Sequence, residues 1–502
     1  MRLAIRVDAS AQIGIGHVKR CLALASAWRA DSLGEILFVT RVGDGARLIG
    51  EAGHDYALLA AAKAEGADQV VDAEQTLAAL GEWHPAVVLV DHYGLAARWH
   101  EAVQQGIGAR LAAIDDLADR PMAVDVLVDH NLAGDHRAKY GRRLPASARL
   151  LGGTRFALID PLYASAPKAA PRDMVQSIGI FMGGADAAGA TPRVLEACRE
   201  HAGFVGPIEV VTTSANPTLA ALRAMCSRWQ QTTLSLDLDQ LAGFFARHDL
   251  HIGAGGGAAW ERCCIGAPTL ALVCADNQAE VVAMLVREGA VATASSHDPA
   301  AIGGALSVLL GGAGARRRMH ERGPELVDGR GAARVALALA AQGLAVRPAA
   351  PIDDRMAHVW RNDPRTRAVS SNAAPIEWSK HSRWWAQSLG DPQTALLVGR
   401  CGARDVGVLR FDFRSEGHAR VAQTSIYLDP ELTGLGLGGH LLAAGLRWLR
   451  EHETGATTAE ASVRTDNRAS RTLFADAGFT QMSTGDWMLR LDAGTELTSQ
   501  SP

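Results

Sequence analysis

The chain has 502 residues, of which 48% are apolar, and a formal net charge of −4 at pH 7. That length suits about three domains of ordinary size, and the small charge, without a basic run, argues against nucleic-acid binding. No apolar stretch reaches membrane-spanning length, and residues 1–25 lack the regions of a signal peptide. Seven cysteines without a C-x-x-C motif suggest neither a disulfide framework nor a zinc site. We therefore expect a cytoplasmic protein with no metal, no nucleic-acid partner and no membrane partner.

The chain opens with a short apolar strand, a glycine turn and an amphipathic helix. Leu3–Val7 predicts the strand, Gly14 and Gly16 lie in the turn, and His17 begins the helix. A helix N-terminus carries free N–H groups and a partial positive charge, which suit a phosphate. The same positive potential favours a neutral His17 that can accept a proton. We predict a catalytic His17; the alternative is a histidine that only caps the helix.

This turn does not match the dinucleotide-binding fingerprint. Lys19 stands where the third glycine should be, and the predicted second strand, Ile36–Thr40, ends at Arg41 rather than at an acidic residue. A nicotinamide-dependent enzyme is therefore disfavoured.

Residues 1–165 alternate predicted strands with alanine-rich helices, which indicates a parallel sheet covered on both faces. The predicted strands are 3–7, 36–40, 86–91, 111–115 and 125–129. Such sheets bind ligands beyond the carboxyl ends of their strands. Three of those ends carry polar groups, namely Asp8, then Asp91 and Tyr93, then Asp115–Asp116. Each group could simply end a strand or cap a helix, but their convergence favours a substrate site that includes Asp8, Asp91 and Tyr93.

A Pro/Ala-rich linker, Ala164–Arg172, precedes a second α/β series in residues 166–346. Its predicted strands are 177–182, 208–213, 250–253 and 269–273. A glycine turn at 255–257 starts a helix whose N-terminus could hold a diphosphate, and Glu261 in that helix could receive ribose hydroxyls. The alternative is that these glycines only let helix and sheet pack closely. We assign substrate binding in this half to Gly183, Gly184, Gly255, Gly256, Gly257, Glu261, Asn277 and Gln278.

A second linker, Arg347–Pro351, precedes residues 352–491, which hold more than half of the tryptophans. The predicted strand Arg420–Leu428 leads into a glycine-rich turn and a helix, His440–Arg450, which together form a third phosphate cradle. We expect residues 492–502 to be a disordered tail.

Residues 1 to about 340 resemble the nucleotide-sugar hydrolases of pseudaminic acid biosynthesis. The motifs that carry the resemblance are Arg6–Ala25, Asp91–Gly94, Met182–Asp186, the Glu261 helix and Asn277–Gln278. The resemblance implies a GT-B fold and hydrolysis of UDP-2,4-diacetamido-2,4,6-trideoxy-β-L-altropyranose, with water attacking the anomeric carbon and UDP leaving. It also implies that His17 activates or aligns the water and that Tyr93 and Asn277 hold the sugar. Many relatives carry a hydroxyl residue beside the glycines of 254–259, and its absence here implies backbone contacts to the diphosphate.

Residues 352–491 resemble the GNAT acetyltransferases, in which a strand, a glycine loop and a helix bind coenzyme A. Trp360–Asn362, His381 and Trp384 resemble, more narrowly, the N-acetyltransferases of UDP-4-amino-sugars. Two positions depart from the family pattern. Thr433 replaces an Arg or Gln, and Phe474 replaces the Tyr that protonates the leaving thiolate in many members, so the general acid is unassigned. The resemblance assigns acetyl-CoA binding to Leu428, Gly434, Leu435, Gly436, Gly438, Gly439, Asn467 and Ser470.

The expected fold is therefore α/β, with two Rossmann-like halves in a GT-B arrangement followed by a GNAT α+β domain at residues 352–491. The expected function is bifunctional: acetyl-CoA-dependent N-acetylation of the 4-amine of a UDP-4-amino-4,6-dideoxy-N-acetyl-altrosamine, then hydrolysis of the product to free sugar and UDP. Two alternatives stay open, a UDP-sugar-dependent GT-B glycosyltransferase with a fused acyltransferase and a nucleotide-sugar-binding scaffold without turnover.

Overall fold

The computed structural model describes residues 1–9, 14–41, 43–60, 68–170, 172–184, 186, 188–416, 419–452 and 454–491. The chain divides into two compact units. Residues 2–27 and 36–333 form the larger unit, and residues 1, 28–35 and 334–502 form the smaller one. The predicted tail, residues 492–502, lies outside the described residues.

The first half of the larger unit is a seven-stranded sheet with the order β3-β2-β1-β4-β5-β6-β7. All five residues of β4 are buried, as expected for a strand of a parallel sheet with helices on both faces. Its elements are β1 (Arg2–Val7), α1 (Gly16–Ala30), β2 (Glu35–Arg41), α2 (Asp44–Glu51), β3 (Tyr56–Leu59), α3 (Gln69–Leu80), β4 (Val87–Asp91), α4 (Ala97–Ile107), β5 (Arg110–Ile114), β6 (Val126–Asp129), α5 (His136–Tyr140), β7 (Arg149–Gly152) and α6 (Leu162–Ser165).

The five strands predicted for this half are confirmed to within a residue or two at their ends, but β3 and β7 were not predicted. Both are edge strands. In β3 the side chains of Tyr56 and Leu58 are 40% and 51% exposed, so the strand has no buried apolar run that would reveal it.

A buried ion network holds the carboxyl ends of β1 and β2 together. Arg6 donates through Nε and Nη2 to the two carboxylate oxygens of Asp72, at 3.1 and 2.8 Å, and also reaches Asp8 at 2.7 Å. Arg41 donates to the same Asp72 at 2.6 Å, and the indole N–H of Trp99 adds a bond at 2.9 Å. Because Asp8 begins the loop that leads to α1, this network positions the base of that loop.

The second half is a six-stranded sheet with the order β10-β9-β8-β11-β12-β13. The strand order reverses between β8 and β11, which are neighbours although β9 and β10 separate them in the chain. The four predicted strands are confirmed, and the half-exposed edge strand β10 and the two-residue β13 were missed. The elements are β8 (Ile178–Phe181), α7 (Thr191–Glu196), β9 (Ile208–Thr212), α8 (Leu219–Arg228), β10 (Thr232–Leu236), α9 (Ala242–Arg247), β11 (Leu250–Ala254), α10 (Ala258–Ile265), β12 (Thr269–Leu272), α11 (Ala279–Arg287), β13 (Ala292–Thr293), α12 (Pro299–Gly311) and α13 (Ala313–Leu326). The helix α14 (Gly331–Leu339) follows, and the boundary between the two units falls within it.

The smaller unit contains a mixed seven-stranded sheet with the order β14-β15-β16-β17-β18-β20-β19. Its pairs are antiparallel except for β17 with β18, which are parallel. The elements are β14 (Ala345–Pro348), α15 (Asp354–Asn362), α16 (Pro364–Ala368), α17 (Trp378–Gly390), β15 (Thr394–Cys401), β16 (Arg404–Glu416), β17 (Ala419–Leu428), α18 (Leu437–Glu451), β18 (Thr458–Ala461), α19 (Arg468–Asp476), β19 (Thr480–Gln481) and β20 (Trp487–Arg490).

The predicted linker Arg347–Pro351 requires a correction. Arg347 and Pro348 belong to β14, an edge strand of this sheet, where Arg347 pairs with Val398. The Arg347 guanidinium also binds Asp353 at 2.7 and 2.9 Å. This stretch is thus part of the smaller unit, which begins before residue 352. The Pro/Ala composition is typical of a spacer, but it is also compatible with an edge strand. Proline has no N–H to donate to a neighbouring strand, and an edge strand does not need one on its open side.

We expect Asp72→Asn to lower the free energy of unfolding at pH 7 by about 3 kcal/mol, the scale for breaking a buried ion pair. Burial alone would raise the pKa of Asp72, but Arg6 and Arg41 lower it to about 2. A folded-state pKa below the unfolded value of about 3.9 stabilises the protein above pH 4, and this stabilisation is lost as the pH falls toward 2. Urea denaturation at a series of pH values measures the effect. The difference in free energy of unfolding between the wild-type protein and Asp72→Asn should become smaller below pH 4.

Asp55→Asn is the matched control, because Asp55 is an exposed aspartate of the same half. It should change the free energy of unfolding by no more than about 0.5 kcal/mol. A similar loss in both variants would show that the network does not stabilise this half.

Candidate active and cofactor sites

The first cluster of functional side chains surrounds Asp91, the last residue of β4. His17, in the first turn of α1, places Nδ1 2.6 Å from Asp91 Oδ1. Arg20 lies on the same face of α1, three residues further on, and donates to both Asp91 oxygens at 2.6 Å. The Asp91 side chain is fully buried and that of His17 is 8% exposed. The sequence prediction grouped Asp91 with the substrate contacts, whereas its partners here are His17 and Arg20.

The charge of Asp91 determines how the His17 ring is held. Burial would raise the pKa of Asp91, but Arg20 and His17 lower it well below its usual value, so Asp91 is a carboxylate at neutral pH. A carboxylate only accepts hydrogen bonds, so Nδ1 of His17 must carry the proton of the shared bond. In the neutral ring, Nε2 is then the nitrogen with a lone pair, which suits it to accept a proton.

Tyr93 joins this cluster through its ring and its hydroxyl. The ring packs edge-on against His17 with centroids 4.6 Å apart, and the hydroxyl donates to Asp116 Oδ1 at 2.6 Å. Asn131 donates to the other Asp116 oxygen at 3.2 Å. Burial, together with the neighbouring Asp116 charge, raises the pKa of Tyr93 well above its usual value, so the phenol stays neutral.

Arg20, Asp116 and Asn131 are site residues that the sequence prediction did not assign. Asp116 is a polar group at the end of a predicted strand but was not assigned to the site. Asn131 follows β6, so the same rule, that ligands bind at the carboxyl ends of strands, could have identified it. Arg20 could have been found from its helical spacing to His17.

Asp8 does not join the His17 cluster. Its carboxylate binds Arg6 and accepts the Arg41 backbone N–H at 2.9 Å, which makes it part of the ion network below the loop. Gly14 and Gly16 frame the described part of that loop, and a Cβ at either glycine would meet no heavy atom within 4 Å. This open space is measured against the described residues, since residues 10–13 of the loop lie outside the described part of the chain.

The glycine turn of the second half divides into packing and open positions. A Cβ at Gly255 would overlap the Val282 side chain, so this glycine allows α11 to pack closely. A Cβ at Gly256 would touch Gln278, whereas one at Gly257 would meet no heavy atom within 4 Å. The packing interpretation therefore holds for Gly255, and Gly257 stands open in front of α10.

The loops that follow β8 and β12 provide the other residues assigned to substrate binding in this half. Gly183 follows β8 with φ +101° and open space around it, and the Gly184 carbonyl accepts hydroxyl bonds from Thr212 and Thr213 at 3.0 and 2.8 Å. The Gln278 side chain accepts the Cys274 N–H at 2.9 Å and so stabilises its own loop, whereas Asn277 is exposed.

Glu261 combines burial with an unused acceptor. Burial raises its pKa, against the effects of Lys19 and of a hydrogen bond from Tyr163. Its Oε2 atom is buried and has no hydrogen-bond partner among the described residues. Lys19 of α1 thus acts electrostatically on Glu261, a residue of the second half.

The smaller unit has an opening beside β17. Only Val421–Gln423 of this strand pairs with β18, so Thr424–Leu428 has no strand partner on that side in the described chain. The turn that follows contains Gly434 and Gly436, with φ +81° and +78°, and leads into the fifteen-residue α18. Exposed backbone beside a long helix N-terminus is chemically suited to a pyrophosphate.

The remaining residues assigned to coenzyme A differ in their surroundings. Gly439 is exposed with open space at its Cβ position, Gly438 lies near Leu473, and Leu435 is fully buried. Asn467 caps α19 by accepting the Ser470 N–H at 3.1 Å, so these two residues hold the start of that helix.

The two positions that depart from the GNAT pattern, Thr433 and Phe474, both make contacts within the smaller unit. Phe474 is buried and packs edge-on against Phe479, with centroids 5.0 Å apart, so its side chain belongs to the core. The Thr433 hydroxyl donates to the Pro430 carbonyl at 3.0 Å within the turn. His381 and Trp384 are neighbours on α17, with ring centroids 5.5 Å apart.

Two observations concern other kinds of site. Within the described ranges, no group of three or more His, Cys, Asp or Glu side chains is arranged to hold a metal ion. None of the helices in the part of the chain described here is long and apolar enough to cross a membrane.

Comparisons with known proteins divide the chain in the same way. Residues 356–479 match the Acetyltransferase (GNAT) family. The chain is 22% identical over 290 residues to the UDP-2,4-diacetamido-2,4,6-trideoxy-beta-L-altropyranose hydrolase of Campylobacter jejuni, covering 58% of this chain and 97% of that protein. It is 23% identical over 255 residues to the spore coat polysaccharide biosynthesis protein SpsG of Bacillus subtilis, covering 50% of this chain and 74% of that protein.

Among solved structures, MurG of Acinetobacter baumannii aligns with a TM-score of 0.47 and 13% identity, covering 67% of this chain and 98% of that one. The fold predicted from the sequence is confirmed, with two Rossmann-like halves followed by a mixed-sheet GNAT domain. The chain thus contains a segment, residues 356–479, that matches the GNAT acetyltransferase family, and it is similar over 290 residues to a UDP-sugar hydrolase.

Proposed function

We propose that the chain is a bifunctional nucleotide-sugar enzyme with an acetyl-CoA-dependent step and a hydrolytic step. The smaller unit acetylates the 4-amine of a UDP-4-amino-4,6-dideoxy-N-acetyl-altrosamine. The larger unit hydrolyses UDP-2,4-diacetamido-2,4,6-trideoxy-β-L-altropyranose to free sugar and UDP. The observation that carries the hydrolase assignment is the His17–Asp91 pair at the carboxyl edge of the first sheet, supported by the similarity to the Campylobacter hydrolase.

In the hydrolytic step, water attacks the anomeric carbon while the bond from that carbon to the diphosphate oxygen breaks. The electron pair of that bond leaves with UDP, and a proton of the water passes to His17 Nε2. Asp91 keeps Nδ1 protonated and stabilises the imidazolium that forms. Tyr93, a neutral phenol beside His17, is placed to orient the sugar, and the exposed Asn277 is the second candidate for that contact.

UDP is assigned to the second half. Its diphosphate would face the open backbone at Gly183 and Gly257, and its ribose hydroxyls would donate to the Glu261 carboxylate. The free Oε2 of Glu261 supports this placement, since a buried acceptor without a partner is costly unless a ligand satisfies it.

In the acetyl-transfer step, the neutral sugar amine attacks the thioester carbonyl, the carbon–sulfur bond breaks, and the coenzyme A thiolate leaves. The proton that the nitrogen loses passes to solvent or to the departing thiolate. A thiol has a pKa of about 8.5, so the thiolate can leave with little help from an acid. Gly434, Gly436 and Gly439 would bring backbone N–H groups close to the pyrophosphate, and the unpaired end of β17 would hold the pantetheine amides.

The decisive experiment is mass spectrometry of the products formed from the UDP-4-amino-sugar in ¹⁸O-water, with and without acetyl-CoA. We expect UDP and diacetamido sugar only when acetyl-CoA is present, with no ¹⁸O in UDP, because water attacks carbon rather than phosphorus. A glycosyltransferase would release little sugar without an acceptor, and a binding scaffold would release no UDP.

His17→Asn should leave UDP affinity nearly unchanged and reduce the hydrolysis rate by about 10²–10⁴, the usual effect of losing a general base. The measurement is UDP release from the diacetamido UDP-sugar under saturating substrate. The matched control is His84→Asn, which makes the same change at an exposed histidine of the same half. This variant should hydrolyse the diacetamido UDP-sugar at the wild-type rate. Near-normal turnover by His17→Asn would reduce His17 to a helix cap.

Glu261→Gln should weaken UDP binding by about 1.5–3 kcal/mol, the range for hydrogen bonds to a charged group. Isothermal titration should compare UDP with 2′-deoxy-UDP. We expect the wild-type enzyme to prefer UDP and Glu261→Gln to lose most of that preference, because the variant removes the charged acceptor of the ribose hydroxyl. An unchanged preference would place the ribose elsewhere.

Gly439→Val should abolish coenzyme A binding and acetyl transfer while hydrolysis continues at the normal rate. A Cβ at Gly439 would meet no heavy atom of the described residues within 4 Å outside its own helix, so the added side chain points into space that a ligand could occupy. Gly390→Val, at another helical glycine with open space, is the matched control and should retain acetyl transfer. Titration with coenzyme A measures the effect, and equal binding by both variants would exclude this turn as the cofactor site.

A further inference from the structure

Arg262 is a buried cation immediately behind the glycine turn of the second half. It follows Glu261 in α10, is 1% exposed, and donates through Nη2 to the Ala254 carbonyl at 2.7 Å. A Cβ at Gly253 would lie 2.5 Å from Arg262 Nη1 and 2.7 Å from the Phe181 carbonyl oxygen. The guanidinium therefore occupies the space beneath the carboxyl ends of β11 and β8.

This guanidinium lacks the partners that a buried arginine normally has. Its Nε and Nη1 atoms are buried and have no hydrogen-bond partner among the described residues. It forms no salt bridge with a carboxylate in the part of the chain that the structure describes, although the charge of the adjacent Glu261 acts against the lowering of its pKa. The Phe245 ring lies 5.8 Å from the guanidinium. Burial lowers the pKa of Arg262 to about 10, so the side chain is still charged at neutral pH.

The position of this buried cation without a salt bridge coincides with the topological switch of the sheet. The strand order reverses between β8 and β11, and such a reversal opens a crevice beyond the strand ends where α/β sheets bind ligands. The loops at that crevice are Met182–Gly184 and Ala254–Gly257, whose open glycines leave room for a ligand against the backbone. An anion in this crevice would give Arg262 a negatively charged partner in addition to the nearby Glu261.

We propose that Arg262 is an electrostatic positioning residue, which stabilises the diphosphate of the bound nucleotide and of departing UDP through the protein interior without touching it. The inference rests on the proposed function of the second half as the UDP site. A charge buried in a low-dielectric interior acts over several ångströms and is poorly screened by salt. In the hydrolytic step, the same charge would favour the negative charge that develops on the leaving oxygen.

The test compares Arg262→Gln with Arg262→Lys in the full chain. Glutamine keeps a donor for the Ala254 carbonyl but removes the charge, whereas lysine keeps the charge. Titrations with UDP and with uridine, which lacks the diphosphate, separate an electrostatic effect from a structural one. Arg247→Gln is the matched control, because it removes the same charge from an exposed arginine that precedes the amino end of β11.

We expect Arg262→Gln to weaken UDP binding by about tenfold or more at both low and high salt, with uridine binding unchanged. Arg262→Lys should recover most of the UDP affinity, and Arg247→Gln should behave as wild type. Unchanged UDP affinity in Arg262→Gln, or an equal loss of UDP and uridine binding, would overturn the inference. If Arg262→Gln does not fold, the test falls to Arg262→Lys, which keeps the charge and should still bind UDP more tightly than uridine. Loss of this preference in Arg262→Lys would also overturn the inference. A wild-type protein that does not bind UDP would instead contradict the proposed function.

Discussion

The proposed hydrolytic site depends on one buried carboxylate, that of Asp91. It is fully buried and receives His17 at one oxygen and Arg20 at both, so two side chains of α1 are fixed to the end of β4. Burying a carboxylate is costly unless cations compensate it, and here Arg20 compensates the charge while His17 benefits from the orientation. The helix and the strand are thereby locked together at the point where the chemistry is assigned. Tyr93 then packs against a ring that is already held in place.

The two halves of the larger unit treat buried charge in opposite ways. In the first half, Arg6 and Arg41 share Asp72, and every strong contact in that network is internal to the protein. In the second half, Arg262 has no carboxylate partner among the described residues and lies beneath an open crevice. A network in which every charge is paired stabilises the fold, whereas a buried cation without a salt bridge can still interact favourably with an anionic ligand. This contrast agrees with the proposed roles, in which the first half supplies the general base His17 and the second half binds the anionic diphosphate.

The glycine turns of this chain serve two physical purposes that look identical in sequence. Gly255 lets Val282 approach the turn, and Gly253 makes room for Arg262. Gly257 and Gly439 have no neighbour at the Cβ position and leave backbone exposed instead. Only the second kind can bring N–H groups to a phosphate, and the two kinds occur within five residues of each other.

The sequence by itself determined the fold class, most of the central strands and the glycine turns, because buried parallel strands are continuous apolar runs and turns need glycine. It also located His17 at a helix N-terminus and Asp91 and Tyr93 at a strand end. It could not reveal the edge strands β3, β7 and β10, whose partly exposed residues lack that apolar signal, or show that Arg347 belongs to a sheet rather than a linker. Only the tertiary structure decided that Asp91 binds His17 and Arg20, that Asp8 belongs to an ion network, and that Arg262 is buried without a carboxylate partner among the described residues. Those outcomes depend on which side chains from distant parts of the chain meet at one strand end, and no local pattern encodes such contacts.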